Sequence, residues 1–195
     1  MVKTLRAVLA LLTFAAGAAV PAFAQGRPDP ASLLAAQTEA MGLLGAMEGV
    51  WRGPDWSILP GGEKHSVTQT ERIGPFLDGA VKVIEGRGYE PDSRVSFNAF
   101  GTISYDPATK TYALHSHAMG RVGDFAFKPT PDGYTWEIPM GPGRTLRYTA
   151  VIRDGTLKEV GDVLEPGKEP FRNFEMVLKR VGDTTWPAAG AVPPN

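Results

Sequence analysis

After Gly49 the hydrophobic period of this chain falls from about 3.6 residues to two, and it stays there to about residue 181. Turn residues punctuate the stretch roughly every dozen positions, which is how antiparallel strands joined by short loops look in a sequence. The turns are chemically recognisable: "PGG" at 60–62, "DPATK" at 106–110, "PDG" at 131–133, Asp154-Gly155 and "EPGKEP" at 165–170. They divide the region into strands at about 49–58, 64–73, 77–88, 95–105, 111–119, 122–128, 133–139, 144–153, 156–164 and 171–181. No long helical stretch interrupts the series, so parallel crossovers are not expected. A meander of about ten strands escapes exposed edges by closing. The expected fold is therefore all-β: a closed up-and-down antiparallel β-barrel preceded by an N-terminal helix.

The chain ahead of the strands has two parts. Residues 1–24 carry Lys3 and Arg6, then an apolar run from Ala7 to Val20, then Ala22-Phe23-Ala24. That order predicts a secretory signal cleaved after Ala24 and a periplasmic or secreted product. The run is shorter than the ~20 residues a spanning helix requires, and no later segment is long enough, so no membrane span is expected in the mature chain. Residues 25–48 form a helical leading segment. Asp29 is expected as its N-cap and Pro30 as its first helical residue, with Leu33, Leu34, Met41, Leu44 and Met47 recurring along one face. The barrel domain is placed at 49–181 and a disordered tail at 182–195.

Charge and cysteine content narrow the role. The net charge is −1, falling to −3 without Lys3 and Arg6, and there is no concentrated basic face, so no nucleic-acid partner is expected. The chain has no cysteine, which removes disulfides, thiol catalysis and thiolate metal sites and leaves the core alone to hold an exported domain together.

Gly49-Val50-Trp51 opens the first strand. A glycine there lets the chain turn from helix into sheet while the indole stoppers the barrel, and this resembles the Gly-x-Trp signature of lipocalins and related calycins. "GVWRG", "PGGEK", "IGPFLDGAVKV", "FGTISYDPATKTY" and "FEMVLKRV" together resemble the bacterial lipocalin-like family DUF1579, over roughly residues 43–181. More distantly the chain is similar to nitrobindin-type barrels, for which the resemblance implies haem held by a histidine on a late strand. No histidine follows His117, so haem does not carry over and no cofactor is expected.

An even number of meandering strands sets the last beside the first. Phe174, Met176, Leu178 and Arg180 share the apolar face of strand ten, which predicts that Arg180 reaches inward near Trp51 as a cation–π partner. Lipocalins use a comparable arginine, so the resemblance implies the same closing role for Gly49, Trp51 and Arg180.

Catalytic motifs are absent: there is no Gly-x-Ser-x-Gly elbow, no Walker loop and no dinucleotide fingerprint. In "LHSHAMG", His115 and His117 lie two apart on a strand and share a face. That face is either the outer one, with Tyr112, Leu114 and Ala118 inside, or the cavity. A metal would need a third ligand from another strand, for which Glu71 and Asp124 are the options, and none is assigned. His65, after the "GGEK" turn, is expected to be exposed. Val67 and Ile73 carry Gln69 and Glu71 inward with them if they face the core, and an inward carboxylate needs a partner or a wet cavity. Arg147 or Arg153 would be that partner only if their faces were inverted.

A ten-stranded barrel is too wide for side chains to fill, so a pocket is expected. Tyr105, Trp136 and Tyr148, with Glu71, His115 and His117, are the expected ligand-binding residues, and the ligand is a small apolar or amphipathic molecule. Two alternatives stand beside this carrier. One is a barrel isomerase, cyclase or hydrolase using His115, His117 and Glu71; the other is a non-catalytic envelope interaction protein using its outer face or the leading helix through Leu34 and Met41.

Overall fold

A computed structural model describes residues 29–185; the expected signal at 1–24 and the end of the tail, 186–195, lie outside the described residues. Helix α1 spans Pro30–Gly42, and a 3-10 turn at Gly45–Met47 delivers the chain into the first strand. Ten strands follow: β1 Gly49–Ile58, β2 Lys64–Phe76, β3 Val81–Tyr89, β4 Val95–Asp106, β5 Thr111–Ala118, β6 Arg121–Thr130, β7 Gly133–Pro139, β8 Thr145–Arg153, β9 Thr156–Leu164 and β10 Phe171–Gly182. Each pairs antiparallel with its neighbours in sequence, and β1 pairs with β10, so the sheet closes into a barrel. Among the described residues no helix is long and apolar enough to cross a membrane.

Three local expectations are corrected. The third strand starts at Val81 rather than about 77, because Leu77 and Asp78 take positive φ (48° and 54°) in a 3-10 turn at Leu77–Gly79 while β2 runs on to Phe76. Asp29 does stand at the N-cap of α1, but its side chain caps nothing. In that first turn Ser32 Oγ donates to the Asp29 carbonyl at 2.7 Å. Strand ten also extends to Gly182, where the tail was expected to begin.

The barrel's two ends differ. Its base is solid: Met41, Leu44 and Met47 pack under α1 against Trp51, Ile73, Ile103, Leu157 and Leu178, all at most 2% exposed. Trp51 Nε1 donates to the Met47 carbonyl at 2.9 Å, so the indole's one polar atom is satisfied in the core. Gly49 has φ +142°, and a Cβ there would stand 2.9 Å from Arg180 Nε and 3.1 Å from the Gly182 carbonyl oxygen. That crowding explains the glycine ahead of the tryptophan.

Phe174, Met176 and Leu178 face inward as expected, and Trp51 pairs with Arg180 across the β1–β10 seam. Arg180 itself does not reach into the barrel. It is exposed at the rim, folded over Gly49, and its guanidinium donates to Asp183 at 2.5 Å and to the Glu48 carbonyl at 3.4 Å. Charge and water draw it outward, since a guanidinium keeps its hydration there and meets a carboxylate. A cation–π contact does form, on a different pair: Lys64 Nζ lies 3.9 Å above the Trp56 ring.

Candidate functional site

Above the solid base the barrel is hollow. A cavity of about 640 Å³ runs from Met47 and Ile73 up to Leu59, Met119 and Val122 at the open end. Its walls follow from strand alternation: every second residue of a strand faces in, and the inward set here combines aromatics with long aliphatics. Phe97, Met119 and Val122 line the opening and remain exposed, so the mouth has an apolar rim.

One wall is an aromatic ladder. Trp136 on β7 stacks on Tyr148 on β8 with ring centroids 4.1 Å apart and planes 5° from parallel. Tyr148 meets Phe174 edge-on at 5.4 Å, and Phe125 packs against Trp136 at 5.5 Å. Tyr148 and Phe174 lie on strands separated by β9, and both pair with Gly161. A Cβ on Gly161 would stand 3.0 Å from Phe174 Cβ and 3.1 Å from Tyr148 Cε1, so the missing side chain is what lets the two rings touch.

Three acids also line the cavity, on β1, β2 and β9. Glu71 on β2 accepts from Gln69 Nε2 at 2.8 Å, and Gly86 on β3 makes room for both head groups, since a Cβ there would stand 2.8 Å from Glu71 Oε1. Glu159 on β9 accepts from Trp136 Nε1 at 2.8 Å, tying the acid to the ladder. Asp55 on β1 is 9% exposed, and neither a hydrogen bond nor an ion pair reaches its carboxylate among the described residues. Asp55 and Glu159 both pair with Met176, from either side, so the two acids stand in one row across β1, β10 and β9.

Burial is the main force on these acids. It pushes Asp55 up to about 7 against the pull of His65. It pushes Glu71 up to about 8, with the Gln69 bond opposing and the charges of Glu159 and Asp55 adding. It pushes Glu159 up to about 7, with the Trp136 bond opposing and Asp55 adding. Burial also raises Tyr148 and Tyr134, with Glu159 adding to both. The basic groups are engaged elsewhere: Lys82 pairs with Glu48 at the base, Arg147 with Glu137 and Arg153 with Asp132.

The expected site residues therefore separate. Glu71, Trp136 and Tyr148 line the cavity. Tyr105 faces inward but lies too deep: it packs against Tyr112 at 4.8 Å beneath α1, where Tyr112 Oη donates to the Ala40 carbonyl at 3.1 Å. His115 and His117 are on the outer face, because Leu114, Ser116 and Ala118 take the inner one. There Asp124 holds His115 Nδ1 at 2.5 Å, and the two Nε2 atoms are 3.1 Å apart. Among the described residues no group of three or more His, Cys, Asp or Glu side chains could hold a metal. Glu71 is across the sheet from both imidazoles, so the proton-transfer set expected of these three is not assembled. His65, expected to be exposed, is half-buried at the cavity's edge and bonds Glu90 at 3.0 Å.

Asp55 and Glu159 complete the site without having been singled out from the sequence, whereas Gln69 faces in beside Glu71 as alternation from Val67 predicts. The signal was there: counting by twos from Trp51 reaches Asp55, and from Leu157 reaches Glu159.

No protein-family model matches the chain, and no curated protein is similar to it. The resemblance to DUF1579 and to nitrobindin-type barrels thus gains no support from either comparison. Among solved structures, the chain is similar to the crystal structure of Rv2717c from M. tuberculosis, with a TM-score of 0.54 and 13% sequence identity over 72% of this chain and 96% of that one. At that identity the likeness concerns the fold alone, and what it adds to the topology is that such a barrel exists in a crystal.

Proposed function

We propose that this protein is an exported container of calycin type that binds a small apolar or amphipathic molecule inside its barrel. The observation that carries the reading is the cavity of about 640 Å³, walled by the Trp136–Tyr148–Phe174 ladder and open at one end. Its volume falls within the range of ~300–1,000 Å³ of small-molecule sites, and a mainly apolar wall with a few placed polar groups is what such sites have. Export rests on the sequence of residues 1–24.

The test is a native mass spectrum of the protein purified from its own host, followed by titration of the stripped protein with fatty acids and with aromatic compounds. Trp136 is stacked in the ladder, so a bound molecule should change its fluorescence. A mass equal to the bare mature chain, with no fluorescence response to either class, would remove the container role. A mass equal to the uncleaved chain would remove export.

A further inference from the structure

We propose that the cavity selects a ligand carrying a positively charged nitrogen on an aromatic body, the nitrogen seated between Asp55 and Glu159 and the ring against the Trp136–Tyr148 stack. This deepens the container reading and rests on it.

The argument starts from what the cavity wall lacks. Three carboxyl groups face in, on β1, β2 and β9, and each is removed from bulk water. Burying an acid without a cation or several donors is costly, and interiors avoid it unless a function retains it. Glu71 and Glu159 each have one donor, Gln69 and Trp136. Asp55 has none, although nine-tenths of its surface is covered and it lines the cavity. Its oxygens keep their acceptor capacity for whatever fills the cavity.

Among the described residues His65 is the one basic group that pulls on Asp55, and no basic side chain is paired with any of the three acids. β2 contributes His65, which bonds Glu90, and β3 contributes Lys82, which is buried at the base with Glu48. β6 contributes Arg121, exposed at the mouth, and β10 ends in Arg180 at the opposite rim, turned to Asp183. Tyr134 on β7 and Tyr148 on β8 are neutral phenols. A cation brought in from outside would thus meet unpaired acids.

Position fits the same ligand. Asp55 and Glu159 flank Met176 in one row, and Glu159 is bonded to the indole edge of Trp136. An ammonium or amidinium between the two acids therefore lies beside the ladder's π faces, which attract cations and stack aromatic rings. Burial holds both acids largely protonated below neutrality, so the attraction should switch on as pH rises through about 7.

The experiment compares three probes of one shape by titration calorimetry: 1-naphthylmethylamine, 1-naphthalenemethanol and 1-naphthoate. At pH 8.5 the amine should bind at least tenfold more tightly than the alcohol, and the naphthoate more weakly than either. The amine's advantage should shrink to under threefold at pH 5.5. It should shrink equally at pH 8.5 in the double variant Asp55→Asn, Glu159→Gln, with its thermal transition recorded to show it folded. If the alcohol or the naphthoate equals the amine at pH 8.5, or the double variant keeps the advantage, the cation preference is overturned while the container stands. If none of the three binds, this inference is overturned, and the fatty-acid titration alone decides whether the container stands.

Discussion

Replacing Glu71 by Gln should stabilise the protein, and by an amount that depends on pH. The carboxyl of Glu71 is pushed up to about 8 from an ordinary 4.5, chiefly by burial. A raised acid binds its proton more tightly in the folded chain than in the unfolded one, so folding stability is lost as pH rises from the unfolded value toward the folded value. Below about 4.5 both states are protonated and the glutamine changes little. Between about 4.5 and 8 the unfolded chain ionises first, and the wild type loses up to ~1.4 kcal/mol per pH unit. Above about 8 both states are ionised and the loss levels off. The full shift would convert to about 5 kcal/mol, and water in an open cavity screens part of it, so the expected gain for Glu71→Gln is about 2 kcal/mol at pH 8.5. The glutamine carbonyl can still accept from Gln69 Nε2, so the local bond survives. Urea unfolding of both proteins at pH 4.5, 6, 7 and 8.5 measures this directly. A variant less stable than wild type at pH 8.5, or a difference flat across the series, would show that Glu71 is ionised and matched by a cation in the folded protein.

Other substitutions separate the parts of the barrel. Gly161→Val should drive a side chain between Tyr148 and Phe174, costing ~1–3 kcal/mol and loosening the ladder, seen as a lower thermal midpoint and an altered near-ultraviolet circular dichroism of the aromatics. Trp51→Ala should cost ~3–5 kcal/mol by emptying the base, whereas Trp51→Phe should lose mainly the bond to Met47 and some packing volume, about 1–2 kcal/mol, both read by denaturant midpoint. His115→Ala should leave stability within ~1 kcal/mol and leave ligand binding by the cavity unchanged in calorimetry, because the imidazole is outside the barrel; loss of binding would contradict that placement.

The barrel was legible because its signals are local. Alternation and turn chemistry each need only a few neighbouring residues, and β1, β7 and β9 begin and end where those signals put them. Alternation also tells which side of a strand a residue takes, which is why Glu71, Trp136 and Tyr148 are where they were expected. It does not tell how deep along the barrel axis an inward residue falls. That depth is fixed by how strands slide past one another and by where α1 docks, both non-local, so Tyr105 faces in yet ends under the helix. Arg180 failed for the same reason: its face was right, but its height put it at the rim among water and Asp183. His115 and His117 could go either way until Leu114 was seen to be buried. For the leading helix, Leu34 is 46% exposed but Met41 is wholly buried, so a docking face built on both does not exist.

With α1 and Trp51 sealing one end, whatever enters this molecule must come out by the door it used. Deeper in, the strands are hydrogen-bonded all the way round, but nearer the door the ladder between β6 and β7 stops at Phe127 and Trp136. Traffic is then governed by the loops and the greasy collar formed by Phe97, Met119 and Val122, and changes there should alter how fast a guest comes and goes far more than how tightly it is finally held.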